Sequence, residues 1–265
     1  MKRYFALTSS LLAISAILPA QDTAGRIVVP SRNSTRPRVV KASTLNTSIT
    51  VKTTTGNEVI IEAPEGRRTP RPPERTPDGL RRLDMPQRGF SVEEEDNVIT
   101  IHTGPSGGPL EISVPVNTSL QLKSIHGPIR VDGVHGDVEA SCTNGGIELA
   151  NITGTIVADT TNGGIKANID RVDASKPMSF SSLNGPIDVT LPADLKANLK
   201  MRSFNGSIWT DFEVKVTGGQ PITTGGGANG RYEVKMDRTF YGTVNGGGPE
   251  ISFSTLNGRI MIRKK

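Results

Sequence analysis

From residue 127 onward a glycine recurs every nine residues, at Gly127, Gly136, Gly145, Gly154 and Gly163. Two positions after each stands a β-branched residue (Ile129, Val138, Ile147, Ile156, Ile165), and four positions after each an apolar one (Val131, Ala140, Leu149, Ala158, Ala167). Residues two apart share one face of a strand, so each unit predicts a short strand with one apolar face. The phase returns at Gly185 (Ile187, Val189), Gly206 (Ile208) and Gly258 (Ile260, Ile262). Nine residues are too few to enclose a core alone, and stacked copies bury one continuous apolar column, which is the logic of a solenoid.

Alternate units carry Asn before the glycine, which sets the coil length. Asn144-Gly145 and Asn162-Gly163 are 18 residues apart, with Thr153-Gly154 between them. Two strands per coil follow. Later coils lengthen, to Asn184-Gly185, Asn205-Gly206 and Asn257-Gly258. The sequence therefore predicts an all-β, single-stranded parallel β-solenoid of about 18–22 residues per coil. Asn-Gly and Gly-Gly are expected to supply positive φ at the corners, and the Asn side chains to stack as an amide ladder rather than to form an active-site row. Arg130, Glu148, Lys166 and Asp188 occupy the outward phase in alternate coils, so parallel stacking would place opposite charges side by side. Upstream, residues 25–31, 37–42, 48–53, 58–62, 97–102, 110–114 and 119–122 also read as strands, and no window of the mature chain has a helical period.

Composition narrows this picture. Aromatics are 4% of the 265 residues, so the core rests on Val, Ile, Leu and Ala, and 29 Gly fit a corner-rich chain. A single cysteine, Cys142, excludes an intramolecular disulfide and a thiolate-rich zinc site, and its phase predicts a small core residue. Lys2 and Arg3 precede an apolar run from Leu7 to Leu18 and then Pro19-Ala20, the pattern of a secretory signal peptide over residues 1–20. No later segment is long and apolar enough for a spanning helix. The expected protein is exported, to the periplasm or the cell surface. Residues 21–265 are expected to form one solenoid domain carrying an insertion at about 67–90. Most of the net charge of +5 lies there, in seven Arg against three acids. Five prolines in the same stretch disfavour helix and central strand.

Candidate chemistry is sparse. No catalytic, cofactor or metal site is expected. The calcium repeat G-G-x-G-x-D fails, because Gly145-Gly146 and Gly163-Gly164 lack the following Gly and Asp. His126 and His135 stand nine apart at equivalent turns, which the fold should place on opposite edges and so too far apart to share a metal. Ligand contacts are expected at Trp209, whose outward phase suits stacking on a sugar unless the loop at 217–230 covers it, and at Arg67, Arg68 and Arg71 for an acidic polymer. The Arg run lacks interleaved aromatics, which excludes nucleic acid as the expected partner. A monomer or weak homo-oligomer is expected. The chain is read as finishing at the last strand and Arg263-Lys264-Lys265, an uncapped coil end blunted by charge.

The run Val114-Pro115-Val116-Asn117-Thr118-Ser119-Leu120 points to a known family. So do His126-Gly127-Pro128-Ile129-Arg130-Val131, Gly136-Asp137-Val138-Glu139-Ala140 and Thr143-Asn144-Gly145-Gly146-Ile147, and the stretch from Gly246 to Ile260. With these, the chain resembles the bacterial adhesin-like β-strand-repeat family, a domain of unknown function, and is similar to the head domains of adhesin-like autotransporters. The resemblance covers residues 97–265 well and 25–65 loosely, where Asn46-Thr47-Ser48-Ile49 replaces the Asn-Gly turn. It implies an exported solenoid and brings no catalytic residues. The expected function is a non-enzymatic, adhesin-like binding or scaffold module of the cell envelope, whose partner is an envelope polysaccharide or protein. A polysaccharide lyase or hydrolase on a β-helix, or a periplasmic sensing partner of a membrane regulator, are the alternatives.

Overall fold

The computed structural model describes residues 26–31, 37–63, 90–104, 108–217, 221–224, 233–236 and 239–265. The expected signal peptide at 1–20, nearly all of the 67–90 insertion with Arg67, Arg68 and Arg71, and most of the 217–230 loop lie outside the described residues. Among those described there is strand and no helix.

The strands in chain order are β1 (Arg26–Val29), β2 (Arg38–Thr44), β3 (Ile49–Thr54), β4 (Val59–Glu62), β5 (Phe90–Glu95), β6 (Val98–Thr103), β7 (Leu110–Pro115) and β8 (Thr118–His126). Next come β9 (Ile129–Asp132), β10 (Val138–Asn144), β11 (Ile147–Gly154), β12 (Ile156–Asn162), β13 (Ile165–Val172), β14 (Met178–Asn184) and β15 (Ile187–Leu191). The last are β16 (Ala197–Asn205), β17 (Ile208–Thr210), β18 (Lys215–Thr217), β19 (Pro221–Thr224), β20 (Glu233–Met236), β21 (Thr239–Val244), β22 (Glu250–Asn257) and β23 (Ile260–Lys264).

These strands form two large sheets, and β19–β20 make a separate pair. Sheet A runs β1-β4-β7-β3-β9-β11-β13-β15-β23-β17, and sheet B runs β18-β21-β16-β22-β14-β12-β10-β8-β2-β6-β5. Each coil contributes one strand to each sheet, and neighbouring coils pair in parallel. Every second residue points inward, as the β-branched periodicity requires. Ile129, Ile147 and Ile165 pair in register in sheet A, flanked by Ile49 and Ile187, and all five are buried. From sheet B, Leu120, Val138 and Ile156 close the opposite wall of the same core. Phe180 and Phe253 stack on adjacent coils, with ring centroids 5.3 Å apart.

Coils follow one another in sequence order through residues 118–191, and at both ends the order changes. The β2/β3 coil lies between the β6/β7 and β8/β9 coils. The β22/β23 coil lies between the β14/β15 and β16/β17 coils. The last strand is therefore interior to sheet A, which corrects the expectation that it forms the coil end. Lys265 folds back to pair with Asp170 at 2.6 Å, and Arg263 grips Asp188 at 2.8 Å. Within the two large sheets, antiparallel strands occur only at the margins. At one end they cover both sheets: β4 and β1 extend sheet A, and β5 extends sheet B. At the other, β21 and β18 extend sheet B alone, and sheet A stops at the three-residue β17.

Candidate binding faces

The corner from sheet B to sheet A is built from three columns. The first is the amide ladder. Asn162, Asn184, Asn257 and Asn205 each donate a side-chain N–H to the Oδ1 of the Asn one coil before, at 2.8–3.0 Å, and Asn144 at its head meets His126 Nδ1 at 3.1 Å. The second column is buried. Cys142, Thr160, Ser182, Thr255 and Ser203 each donate to the carbonyl of the corner glycine one coil before, at 2.9–3.3 Å. Cys142 thus takes a hydroxyl's place, and burial pushes its thiol pKa up, against weaker lowering by hydrogen bonds from Asn144 and Ser124.

The third column is glycine. Gly145, Gly163, Gly185, Gly258 and Gly206 do not have positive φ. A Cβ at each would collide with the backbone carbonyl of the glycine one coil before. Close backbone approach, not left-handed geometry, is what requires glycine here, which corrects the reading from the Asn-Gly pairs. Positive φ occurs at Gly127, the head of this column, at the Asn245-Gly246 pair, and at Gly154 and Asn151 on the opposite edge. In the β2/β3 coil Thr47 stands at the glycine position; its carbonyl accepts from Thr44 and Ser124, and its hydroxyl donates to Gly108 O at 2.8 Å.

Outside the corner, sheet A presents the row Thr50, Arg130, Glu148, Lys166, Asp188, Met261, Trp209 in register. Arg130 Nε donates to Glu148 Oε2 at 2.9 Å. Trp209 ends this row. It is 64% exposed. Its indole N–H donates to Ser207 Oγ at 2.8 Å, which fixes the ring. With Asp211, Met261 and Arg263 it lines a groove of about 210 Å³. His126 and His135 stand at corners on opposite edges of the stack, and no cluster of three or more metal-ligating side chains occurs among the described residues.

Two features escaped the sequence reading. Ser43 Oγ and His102 Nδ1 lie 2.6 Å apart on the outer face of sheet B, 59 residues apart in sequence and joined only by the β2–β6 register. Met201, Ser203, Gly206, Ile208, Val214, Val216 and Phe240 line a groove of about 430 Å³ at the β16/β17 end of the stack. Its walls come from three separated segments, so no local pattern announces it.

A family model described as Toastrack DUF4097 matches residues 90–239. Among curated proteins nothing matches the chain. Two solved structures are similar to it. One is a candidate cell adhesion protein from Clostridium sporogenes, with 11% identity and a TM-score of 0.35, covering 91% of this chain and 99% of that one. The other is a candidate adhesin from Bacteroides fragilis, with 11% identity and a TM-score of 0.26, covering 92% and 98%.

Proposed function

Because the chain belongs to the Toastrack DUF4097 family, a domain of unknown function, we propose that it is a non-enzymatic, adhesin-like binding module of the cell envelope. The basic and apolar start of the chain supports export, to the periplasm or the surface. The partner we propose is an envelope polysaccharide. Trp209 is the observation that carries this reading: a large aromatic face held in water by its own N–H bond, beside Arg263 and Asp211. An exposed, pre-positioned indole stacks on a pyranose ring at low entropic cost, and the flanking charges select among hydroxyl and carboxylate substituents. The long, flat ladders on both sheets suit a linear polymer more than a small molecule.

The test is retention of the full chain on an array of cell-wall and surface glycans. We expect specific retention, weakened at least about tenfold by Trp209→Ala, with no reducing ends released. A uniformly blank array, or retention unchanged by the substitution, would overturn the reading.

A further inference from the structure

A different surface goes beyond that reading. The four corner interfaces made by the coils carrying Asn162, Asn184, Asn257 and Asn205 use the same three bonds with the same polarity. The later coil's hydroxyl donates to the glycine carbonyl below it, its Asn Nδ2 donates to the Asn Oδ1 below it, and its Asn carbonyl accepts from the glycine N–H below it. At the final interface these are Ser203 Oγ to Gly258 O at 3.0 Å, Asn205 Nδ2 to Asn257 Oδ1 at 2.8 Å, and Gly258 N–H to Asn205 O at 3.3 Å. The 203–208 corner then presents the same three groups one step further on: Gly206 O, Asn205 Oδ1 and Gly206 N–H. Among the described residues none of them has a hydrogen-bond partner.

The surroundings match this vacancy. Among the described residues β17 pairs with β23 on one side only, so there sheet A ends on an open parallel edge. On sheet B, β21 pairs with β16 from Ala197 only as far as Arg202, so the described ladder stops short of the 203–208 corner. The groove of about 430 Å³ lies here, walled by Met201, Ile208, Val214, Val216 and Phe240, where the next inward β-branched residue would sit.

We propose that this end is a template for β-augmentation by a Ser/Thr-x-Asn-Gly-x-Ile/Val segment of another polypeptide, added as one further half-coil. Main-chain pairing along β17 supplies affinity, and the corner bonds with the glycine approach supply specificity. The occupant is not a second folded copy of this chain, because each corner of this type among its described residues is already seated on a neighbour. The other end of the stack is closed to such an addition, since antiparallel strands extend both of its sheets.

The probe is a labelled peptide of residues 181–191, which carries Ser182, Asn184, Gly185 and Ile187, titrated into the full chain by fluorescence anisotropy. Saturable one-to-one binding is expected. The Gly185→Val peptide should bind at least about tenfold more weakly, because a Cβ cannot pass the Gly206 carbonyl. On the chain, Ile208→Pro removes the edge N–H, and Val216→Lys places a charge in the groove at a residue that is 58% exposed and tolerates change. Each should weaken binding at least about tenfold. Should Ile208→Pro fail to fold, Val216→Lys carries the test. The proposal fails if the peptide shows no saturation below about 1 mM, if the Gly185→Val peptide binds equally, or if Val216→Lys has no effect. A homodimer seen by sedimentation and broken by Val216→Lys would also defeat it, since that end would then be covered by a second copy.

Discussion

The middle of the stack and its ends solve the same packing problem with different connectivity. Between Asn144 and Asn184 the amide ladder links residues 18 and 22 apart, so each coil rests on the one made just before it. Beyond Asn184 the next rung is Asn257, 73 residues later, and then the chain steps back 52 residues to Asn205. Bond lengths and polarity do not change across this break. What the contrast teaches is that the corner chemistry specifies an interface, not a chain order. Any segment with a hydroxyl, an Asn and a Gly at the right spacing can be the next coil, and loop closure over 50 to 70 residues adds little cost beyond a short one.

The sharpest way to break this comparison is at the glycines. Gly163→Val in the middle and Gly258→Val in the inserted coil should each cost about 3 kcal/mol or more, because both drive a side chain into a neighbouring carbonyl. Gly56→Ala, whose nearest non-adjacent atoms would be 3.9 Å away, should stay within about 0.5 kcal/mol. Urea unfolding of the three variants measures this. Tolerance of Gly258→Val alone would mean that the inserted coil is seated less tightly than its geometry indicates.

A smaller effect sharpens the same point. Asn162→Ala and Asn257→Ala each remove a rung between two neighbours, and each should cost about 1 kcal/mol in the same assay. Equal values support one unbroken ladder; a clearly smaller value at Asn257 would divide it at the change of chain order.

Cys142→Ser should have the smallest effect at neutral pH, since serine is the ordinary occupant of that column at Ser182 and Ser203. The difference should appear in alkali. Burial holds the folded thiol above its ordinary pKa, so the unfolded chain loses the proton first, and the wild type weakens as pH rises through the thiol range. Serine does not titrate there, so the variant should keep its stability. Parallel loss in both proteins would show that another group governs the alkaline limb.

Much of this architecture is legible in the residues because period, strand alternation and burial are coupled. Ile129, Ile147 and Ile165 could be assigned to one column by spacing alone, and so could the alternating Arg130, Glu148 and Lys166. The reordered coils are invisible for the opposite reason. Asn184 is chemically as good a neighbour for Asn205 as for Asn257, so no local signal chooses between them. The role of the corner glycines also escaped, since Asn-Gly marks a left-handed turn in most contexts and here marks a place where two backbones nearly touch. Trp209 was legible from its outward phase, three after Gly206, and the structure leaves it exposed in register with Met261. The Ser43–His102 contact and the groove at Val216 required the three-dimensional register.

The insertion of β22 and β23 has a consequence for assembly. β17 reaches sheet A only through β23, and the parallel partner of β16 is β22, so residues 197–210 have no seat on the body until residues 250–264 arrive. Those later residues act as a keystone: a nascent chain emerging in order must hold the earlier segment in waiting, and the structure locks when the wedge slides home. Cutting the polypeptide between the two would therefore release more of the molecule than the cut itself removes.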